Sequence, residues 1–335
     1  MVRLRRSDPS GPGISRRRRG RGFEYRDAAG NPVDESTVDR IRALVLPPAW
    51  QDVWICPVPN GHIQATGVDA AGRRQYRYHD AWRQRRDGEK HERVLGLGAA
   101  LPAVRKRLDE ELAGRGLTRD RVLACAVRLL DLGFFRVGGE EYAATHQTFG
   151  LATIRREHVH LRRDTVIFEY PAKGSLERVQ SIVDDAVLDV VRKLLRRKDP
   201  NPELLSWWDA RTRCWCDVRS SHVNEYVRAI TGGEYSAKDF RTWHATVLMA
   251  VALAVSAGTA RSKTGRQRAI AHGYREVAYY LGNTPAVARA SYVDPRVVDR
   301  YRAGQTIAAA LDQLGEGSGP ATHGPIEAAV LDLLS

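Results

Sequence analysis

The chain has 335 residues, and its 53 lysines and arginines outnumber its 40 acidic residues, which gives a formal charge of +13 and a pI near 9.9. This length allows a sizeable hydrophobic core, most simply in two domains. The basic excess favours a nucleic-acid partner, because duplex phosphates attract clustered basic side chains through counterion release. Four cysteines are too few for a disulfide framework, so a reducing compartment is expected.

Several other classes of protein are disfavoured. The most apolar stretch, residues 245–260, is short and rich in alanine, which favours a buried helix over a membrane span. The arginine run at 16–19 is not followed by the apolar segment of a secretory leader. The pair Cys214 and Cys216, and the pair His158 and His160, each lack further ligands at metal spacing. We therefore expect no metal and no other cofactor.

The first part of the chain is predicted to be a basic tail followed by a β-rich domain. Residues 1–22 contain eight arginines and one aspartate between glycines, serines and prolines, which predicts a disordered tail. Residues 23–97 contain short alternating runs separated by turn residues at 30–32, 59–61 and 71–72, which predict a small antiparallel sheet. A short helix is expected over residues 37–46, before Pro47 and Pro48.

The second part is predicted to be mainly helical over residues 98–314. Thr118 and Gly133 are suitable ends for one helix, and a second begins after Gly139, which places Arg136 in a loop. Residues 158–182 interrupt the helices with a three-stranded hairpin sheet that carries Lys173 in a tight turn. Helices are expected again at 184–197, 222–230, 238–256 and 274–281. Residues 315–335 are predicted to be a loosely attached C-terminal tail with one short helix. The fold class is thus α+β.

Two segments, KDFRTW at 238–243 and LGNTPAVARASY at 281–292, place Arg241, Asn283 and Tyr292 in one candidate phosphate site. The guanidinium of arginine matches the geometry of a phosphate, and a tyrosine can present its phenolic oxygen to the phosphorus. Without further motifs, Arg241 could equally be a surface arginine paired with Asp239, and Asn283 could be a helix N-cap.

Further motifs make the pattern specific. FFRVG at 134–138, YPAKG at 170–174 and the two segments above resemble, in this order, the active-site motifs of type IB DNA topoisomerases of the poxvirus and bacterial kind. LPPAW at 46–50 and NGHIQATGVDAAGRRQYRYH at 60–79 look like the upstream DNA-gripping domain of that family. The resemblance covers roughly residues 23–310.

The resemblance implies relaxation of supercoiled duplex DNA without ATP or metal. Tyr292 would attack a phosphodiester and form a 3′-phosphotyrosyl link, while Arg136 and Arg241 stabilise the transition state. Lys173 would protonate the departing 5′-oxygen. Asn283 stands where the poxvirus pattern has histidine, nine residues before the tyrosine; a neutral amide can donate a hydrogen bond but cannot carry charge.

The upstream segment is the candidate DNA grip. Gln75, Tyr76 and Tyr78 alternate with Arg73, Arg74 and Arg77, and by resemblance these residues contact bases and backbone. The alternative is that Tyr76 and Tyr78 pack against a neighbouring helix. Two domains of this kind would form a clamp around the duplex and would act as a monomer. We expect a cytoplasmic protein associated with chromosomal DNA.

Two other functions use similar residues. A tyrosine recombinase has a comparable site of arginines, lysine and tyrosine, but it acts as a tetramer and exchanges strands between duplexes. A non-catalytic DNA-binding protein could retain the scaffold alone. The KDFRTW segment and the β segment with QYRYH favour the topoisomerase over the recombinase, and the intact Arg136, Lys173, Arg241 and Tyr292 argue against a non-catalytic scaffold.

Overall fold

The computed structural model describes residues 3–174, 176–260, 262–315 and 320–335, with the side chain of Tyr142 left aside. It divides into two compact units, Met1–His91 and Glu92–Ser335. The predicted boundary was at 97, and the observed division falls inside one long helix, Asp80–Leu112. The two units are described separately.

Unit 1 is built on a five-stranded antiparallel sheet in the order β2-β1-β3-β4-β5. Its strands are β1 (Ile14–Arg19), β2 (Gly22–Arg26), β3 (Gln51–Ile55), β4 (Ile63–Val68) and β5 (Arg74–Tyr78). Helix α1 (Glu35–Ala43) starts at Asp34, whose carboxylate accepts a hydrogen bond from the Thr37 amide. Ile41 of α1 is buried with Ile14, Val53, Ile55 and Ala65, which form the small core of this unit.

The prediction of a disordered tail over residues 1–22 is wrong for Ile14–Arg19, which forms β1, the second strand of this sheet, between β2 and β3. Main-chain hydrogen bonding to β2 and β3 holds the strand despite its charge. The Arg16 guanidinium lies 4.3 Å from the centroid of the Phe23 ring and also donates to the carbonyl oxygens of Pro47 and Trp50. The arginines therefore belong to the folded unit.

Unit 2 is mainly helical. Its helices are α2 (Asp80–Leu112, from Glu92 onward), α3 (Arg119–Leu132), α4 (Glu140–His146), α5 (Asp185–Leu195), α6 (Ser220–Thr231), α7 (Ala237–Ala257), α8 (Lys263–Leu281), α9 (Pro285–Ser291), α10 (Pro295–Arg302) and α11 (Pro325–Leu334). Thr118 caps α3 by accepting a hydrogen bond from the Arg121 amide, and Gly133 ends it, as predicted. Helix α2 begins well before the predicted position because its first half is polar and lacks an apolar stripe.

Two small sheets interrupt the helices. β6 (Val159–Arg162), β7 (Thr165–Ala172) and β8 (Leu176–Val183) form the predicted three-stranded antiparallel sheet. β9 (Ser206–Asp209) and β10 (Cys214–Asp217) form a separate two-stranded ribbon. The α+β class is confirmed, with a β-rich N-terminal unit and a mainly helical second unit that carries a small three-stranded sheet.

Helix α7 lies at the centre of the core of unit 2. Phe240, Trp243, Val247 and Leu253 are all almost completely buried. By length and composition this helix would also pass as a membrane span, but 67% of its apolar window is covered by the protein, as expected for a core helix.

The C-terminal helix is more firmly attached than predicted. Ile326 and Val330 of α11 are fully buried, and Glu327 accepts hydrogen bonds from the Trp243 indole and from Arg105. The expectation of a loosely attached tail is therefore wrong for Pro325–Leu334, whose apolar face closes the core around α7.

Candidate active site

Arg136 lies in the loop between α3 and α4, and main-chain hydrogen bonds hold this loop in place. The carbonyl oxygens of Arg136 and Val137 accept hydrogen bonds from the amides of Leu151 and Ala152, at 2.8 and 2.7 Å. Gly138 has φ +82°, and a Cβ there would come within 2.9 Å of the Gly150 backbone. The close approach of two glycines thus fixes the loop that presents Arg136.

Arg241 lies on α7 with only 3% of its surface exposed. It donates hydrogen bonds to the carbonyl oxygen of Phe134 and, at 2.9 Å, to that of Leu281. Asp239 does not pair with it. That carboxylate accepts hydrogen bonds from the amide and the hydroxyl of Ser236 and forms an ion pair with Arg93. The interpretation of Arg241 as a surface arginine paired with Asp239 is therefore wrong. Burial lowers the pKa of Arg241 to about 10, so the guanidinium is still protonated at neutral pH.

The C-terminal end of α8 is bound by three arginines. Arg241 binds the carbonyl oxygen of Leu281, Arg136 binds that of Gly282 at 2.8 Å, and Arg178 binds those of Tyr279 and Tyr280 at 3.0 and 2.7 Å. A helix leaves its last carbonyls without amide partners one turn further on, and among these four the Tyr279 carbonyl also accepts from the Gly282 amide at 3.1 Å. The helix end therefore ties together α7, the Arg136 loop and β8.

Asn283 follows this helix end and contacts Arg136. Gly282 ends α8 in the left-handed conformation, and the Asn283 amide bonds back to the Ala278 carbonyl at 2.9 Å. The Oδ1 atom of Asn283 accepts a hydrogen bond of 2.6 Å from Arg136 Nη2. Its Nδ2 atom is buried and has no hydrogen-bond partner among the described residues. The N-cap interpretation is wrong, since Thr284 caps α9.

Tyr292 stands at the C-terminal end of α9, half-buried. Its amide bonds to the Ala288 carbonyl at 3.0 Å, and Thr246 of α7 contacts its carbonyl oxygen. The Arg241 guanidinium lies 5.4 Å from the centroid of its ring. Burial opposes ionisation of the phenol, but nearby positive charge, chiefly that of Arg241, outweighs this effect and holds the pKa of Tyr292 below its usual 10.0.

A cavity of about 270 Å³ brings four of the five predicted catalytic residues together. Arg136, Lys173, Arg241 and Tyr292 line it, and Asn283 is held next to it by Arg136. Lys173 is exposed in the turn between β7 and β8, as predicted. The structure thus assembles in one place residues that are far apart in the sequence.

Sequence reasoning missed two basic residues here. Lys238 lines the same cavity, and its Nζ lies 5.8 Å from the centroid of the Tyr292 ring. It precedes Arg241 by three residues in KDFRTW, so helical spacing was the signal that places both on one side of α7. Arg178 offered no such signal, because only the folded structure brings β8 to the end of α8.

The predicted DNA-contacting residues lie in unit 1 on and beside β5, an edge strand. Tyr76 and Tyr78 share one face, with ring centroids 6.0 Å apart, and Tyr76 is 46% exposed. Arg74 is exposed on this same face by strand alternation. Exposure of Tyr76 argues against the alternative in which it packs under a helix.

Gln75 and Arg77 lie on the opposite face of β5. Gln75 donates to the Asp69 carboxylate at 2.9 Å, which also holds Arg73, and Arg77 is 3.9 Å from Asp80. The six residues predicted as one group therefore divide between two faces. In this conformation the tyrosine face is the more accessible of the two.

The chemistry available in the cavity of unit 2 is phosphoryl transfer to a phenol. Two guanidinium groups can bind non-bridging oxygens of a phosphate, and the depressed pKa of Tyr292 makes its oxygen a better nucleophile at neutral pH. An exposed ammonium group on the hairpin turn is available as a proton donor.

Comparison with known proteins agrees with this chemistry. Residues 79–314 match the family described as eukaryotic DNA topoisomerase I, catalytic core, and residues 22–69 match the bacterial DNA topoisomerase IB N-terminal domain. The chain is 27% identical to DNA topoisomerase 1B of Acanthamoeba polyphaga mimivirus over 87% of this chain and 88% of that protein. It is 18% identical to DNA topoisomerase 1B of vaccinia virus, over 70% and 71%. The match to DNA topoisomerase 1 of Schizosaccharomyces pombe, 28% identical, covers 49% of this chain but 19% of that longer protein.

Proposed function

Because the chain belongs to the type IB DNA topoisomerase family, we propose that it relaxes supercoiled duplex DNA by cutting and rejoining one strand through Tyr292. The observation that carries this proposal is the shared cavity of Arg136, Lys173, Arg241 and Tyr292. A tyrosine of lowered pKa beside two guanidinium groups is suited to attack on a phosphodiester.

In the proposed cleavage step, Tyr292 loses its phenolic proton to solvent, and its Oη atom then bonds to phosphorus while the bond from phosphorus to the 5′-oxygen breaks. Arg136 and Arg241 bind the non-bridging oxygens as charge develops on them. The departing 5′-oxygen takes a proton from Lys173 Nζ, which leaves a 5′-hydroxyl strand. That strand then rotates about the intact strand, and the reverse reaction rejoins it. The duplex is restored with a changed linking number.

In this proposal Asn283 keeps the hydrogen-bond donor role expected from the sequence and gains a second one. Its Oδ1 atom is occupied by Arg136, so it orients that guanidinium. Its Nδ2 atom, which has no partner in the part of the chain that the structure describes, is available to donate to the phosphate. A neutral amide suffices for both tasks. We also propose that no ATP or metal takes part in the strand-transfer steps, because tyrosine, arginine and lysine supply the nucleophile, the charge and the proton.

The remaining parts of the proposal concern partners and place. Arg74, Tyr76 and Tyr78 on the exposed face of β5 are proposed to contact the duplex. The protein is proposed to act as a monomer, since one chain carries the nucleophile, the arginines and the lysine. Its proposed location is on chromosomal DNA in the cytoplasm.

The decisive experiment is relaxation of negatively supercoiled plasmid at several salt concentrations without ATP, with and without EDTA. Relaxation under both conditions supports the proposal, whereas no relaxation by folded protein would refute it. Tyr292→Phe is expected to bind DNA but never to be trapped covalently on it. A covalent adduct formed by that variant would place the nucleophile elsewhere, and strand exchange between duplexes would favour a recombinase.

A further inference from the structure

A second cluster of ionisable side chains lies in unit 2, outside the proposed cavity. It consists of Asp131 at the end of α3, His244 on α7 and His323 in the segment before α11. The Nε2 atoms of His244 and His323 lie 3.4 and 4.0 Å from Asp131 Oδ1. All three ligand atoms are within 4.8 Å of one another. Three donor atoms therefore converge on one point from three separate elements.

The carboxylates around this cluster are well hydrogen-bonded, whereas one imidazole nitrogen is not. Arg105 donates to both oxygens of Asp131, at 2.8 and 3.0 Å, and to both oxygens of Glu327. The Trp243 indole and the Gly324 amide also donate to Glu327. By contrast, Nε2 of His244 is buried, and its long 3.4 Å approach to Asp131 Oδ1 does not have the geometry of a good hydrogen bond.

The charges of the cluster are also unbalanced. Asp131 and Glu327 are both almost fully buried, and Arg105 is the guanidinium that both carboxylates share. Two carboxylates and one guanidinium leave one negative charge in a protein interior, where uncompensated charge is costly. A protonated imidazole restores neutrality, and so does a divalent cation that carries a hydroxide as a further ligand.

We propose that Asp131, His244 and His323 bind a zinc ion. Two imidazole nitrogens with one carboxylate oxygen are a donor set typical of Zn²⁺, whereas Mg²⁺ and Ca²⁺ prefer oxygen donors throughout. A carboxylate oxygen has lone pairs for both Arg105 and a metal. Arg105 orients Asp131 as the hydrogen-bonding partners of metal ligands commonly do.

Access and role follow from the position of the cluster. His323, Arg105 and Gly324 also line an open cavity of about 940 Å³, which gives an ion a route in and leaves room for a water as fourth ligand. The ion fastens the segment before α11 to α3 and to α7, one turn beyond Arg241. It is structural, so it takes no part in the strand transfer proposed above and is independent of it.

The experiment uses the full chain with Cys214→Ser and Cys216→Ser, because these two thiols, whose sulfurs lie 4.0 Å apart, would otherwise compete for the metal. After treatment with chelator, zinc binding is measured by calorimetry and Co²⁺ binding by visible absorption. We expect one zinc per chain, tetrahedral Co²⁺ absorption, and a higher Tm with zinc than without it.

Variants make the assignment specific. His323→Ala is expected to weaken zinc binding by about tenfold or more and to abolish the rise in Tm. His323→Cys supplies a thiolate in place of the imidazole, so it should restore binding and add a sulfur-to-Co²⁺ charge-transfer band. His272→Ala, which removes an exposed imidazole beside Glu276 on α8, is the matched control and should bind as the parent does.

Absence of zinc binding by the parent, or equal binding by folded His323→Ala, would overturn the proposal and leave a protonated imidazole as the balancing charge. The two proposals fail separately. Plasmid relaxation by zinc-free protein tests the topoisomerase, and metal affinity tests this cluster.

Discussion

The proposed active site has a buried side and an exposed side, and they are built in different ways. Arg136 and Arg241 bind main-chain carbonyl oxygens that fix their orientation. Lys173 and Lys238 are exposed, and neither has an ion-pair partner among the described residues. The groups proposed to stabilise charge are thus oriented in advance. The lysines proposed to donate a proton or to lower the pKa of the phenol remain free to adjust. Geometry matters most for the former, and protonation for the latter.

The sharpest test of the buried side is Arg241→Ala. Cleavage of a duplex containing one scissile site is expected to slow by about 10³–10⁵, because a guanidinium contact to the transferring phosphoryl group is lost. Arg241→Lys should recover little, since an ammonium group lacks the planar fork. Arg302→Ala on α10, paired with Asp299 at the surface, is the control. Rapid cleavage by Arg241→Ala would show that the buried arginine serves the fold alone.

Replacing Lys173 by alanine tests the exposed side. Cleavage should fall by about 10²–10⁴ if the lysine is the general acid. A substrate with sulfur in place of the bridging 5′-oxygen has a leaving group that needs no proton, so the variant should cleave it nearly as fast as the parent does.

A defect that persists with the sulfur substrate would assign Lys173 to phosphate binding instead of proton transfer. Lys198→Ala is the matched control, because Lys198 is an exposed lysine outside the cavity.

Arg178 connects the two sides, because it lies on the hairpin that carries Lys173 and binds the end of α8 that carries Asn283. It is a positioning residue in this interpretation. Arg178→Ala should slow cleavage by about tenfold, as small displacements of a catalytic group cost rate. Much of this loss should disappear with the sulfur substrate, because the displaced group is the acid.

Arg178→Lys should retain part of the positioning, so its cleavage rate should lie between those of the parent and of Arg178→Ala. Equal loss with oxygen and sulfur substrates would mean that Arg178 supports the arginines instead of the hairpin.

The smallest expected effect concerns pH. The phenolate of Tyr292 is the reactive form, and neighbouring positive charge, including that of Lys238, lowers its pKa below 10.0. Removing the Lys238 charge with Lys238→Met should raise that pKa by less than about one unit. The cleavage rate would then continue to rise to a higher pH than in the parent, whereas Lys238→Arg should leave the profile in place. Identical profiles for all three proteins would exclude this contribution.

The predictable parts of the molecule were those with local signals. Thr118 and Gly133 mark the ends of α3, and turn residues mark the hairpin that carries Lys173. The order of the motifs, which resembles that of a known family, predicted five catalytic residues. Four of these five share one cavity in the structure. These elements depend on caps, turns and periodicity that short segments contain.

The parts that were missed depend on distant partners. The arginine-rich β1 looked disordered because its stability comes from strands on both sides. The polar start of α2 lacks an apolar stripe, and α11 is held by contacts with Trp243 and Arg105. Nothing near Asp131 in the sequence indicates that His244 and His323 will meet it.

The end of α8 also has an electrostatic consequence. A helix C-terminus carries a partial negative charge of about half an electron, so the carbonyls of Leu281 and Gly282 act as a built-in substitute for an anion. They keep the guanidinium groups of Arg241 and Arg136 together at a separation that mutual repulsion would otherwise widen. A phosphate arriving in the cavity meets donors whose orientation was established during folding. Discrimination between a duplex phosphodiester and a free anion then depends on what the rest of the DNA contacts.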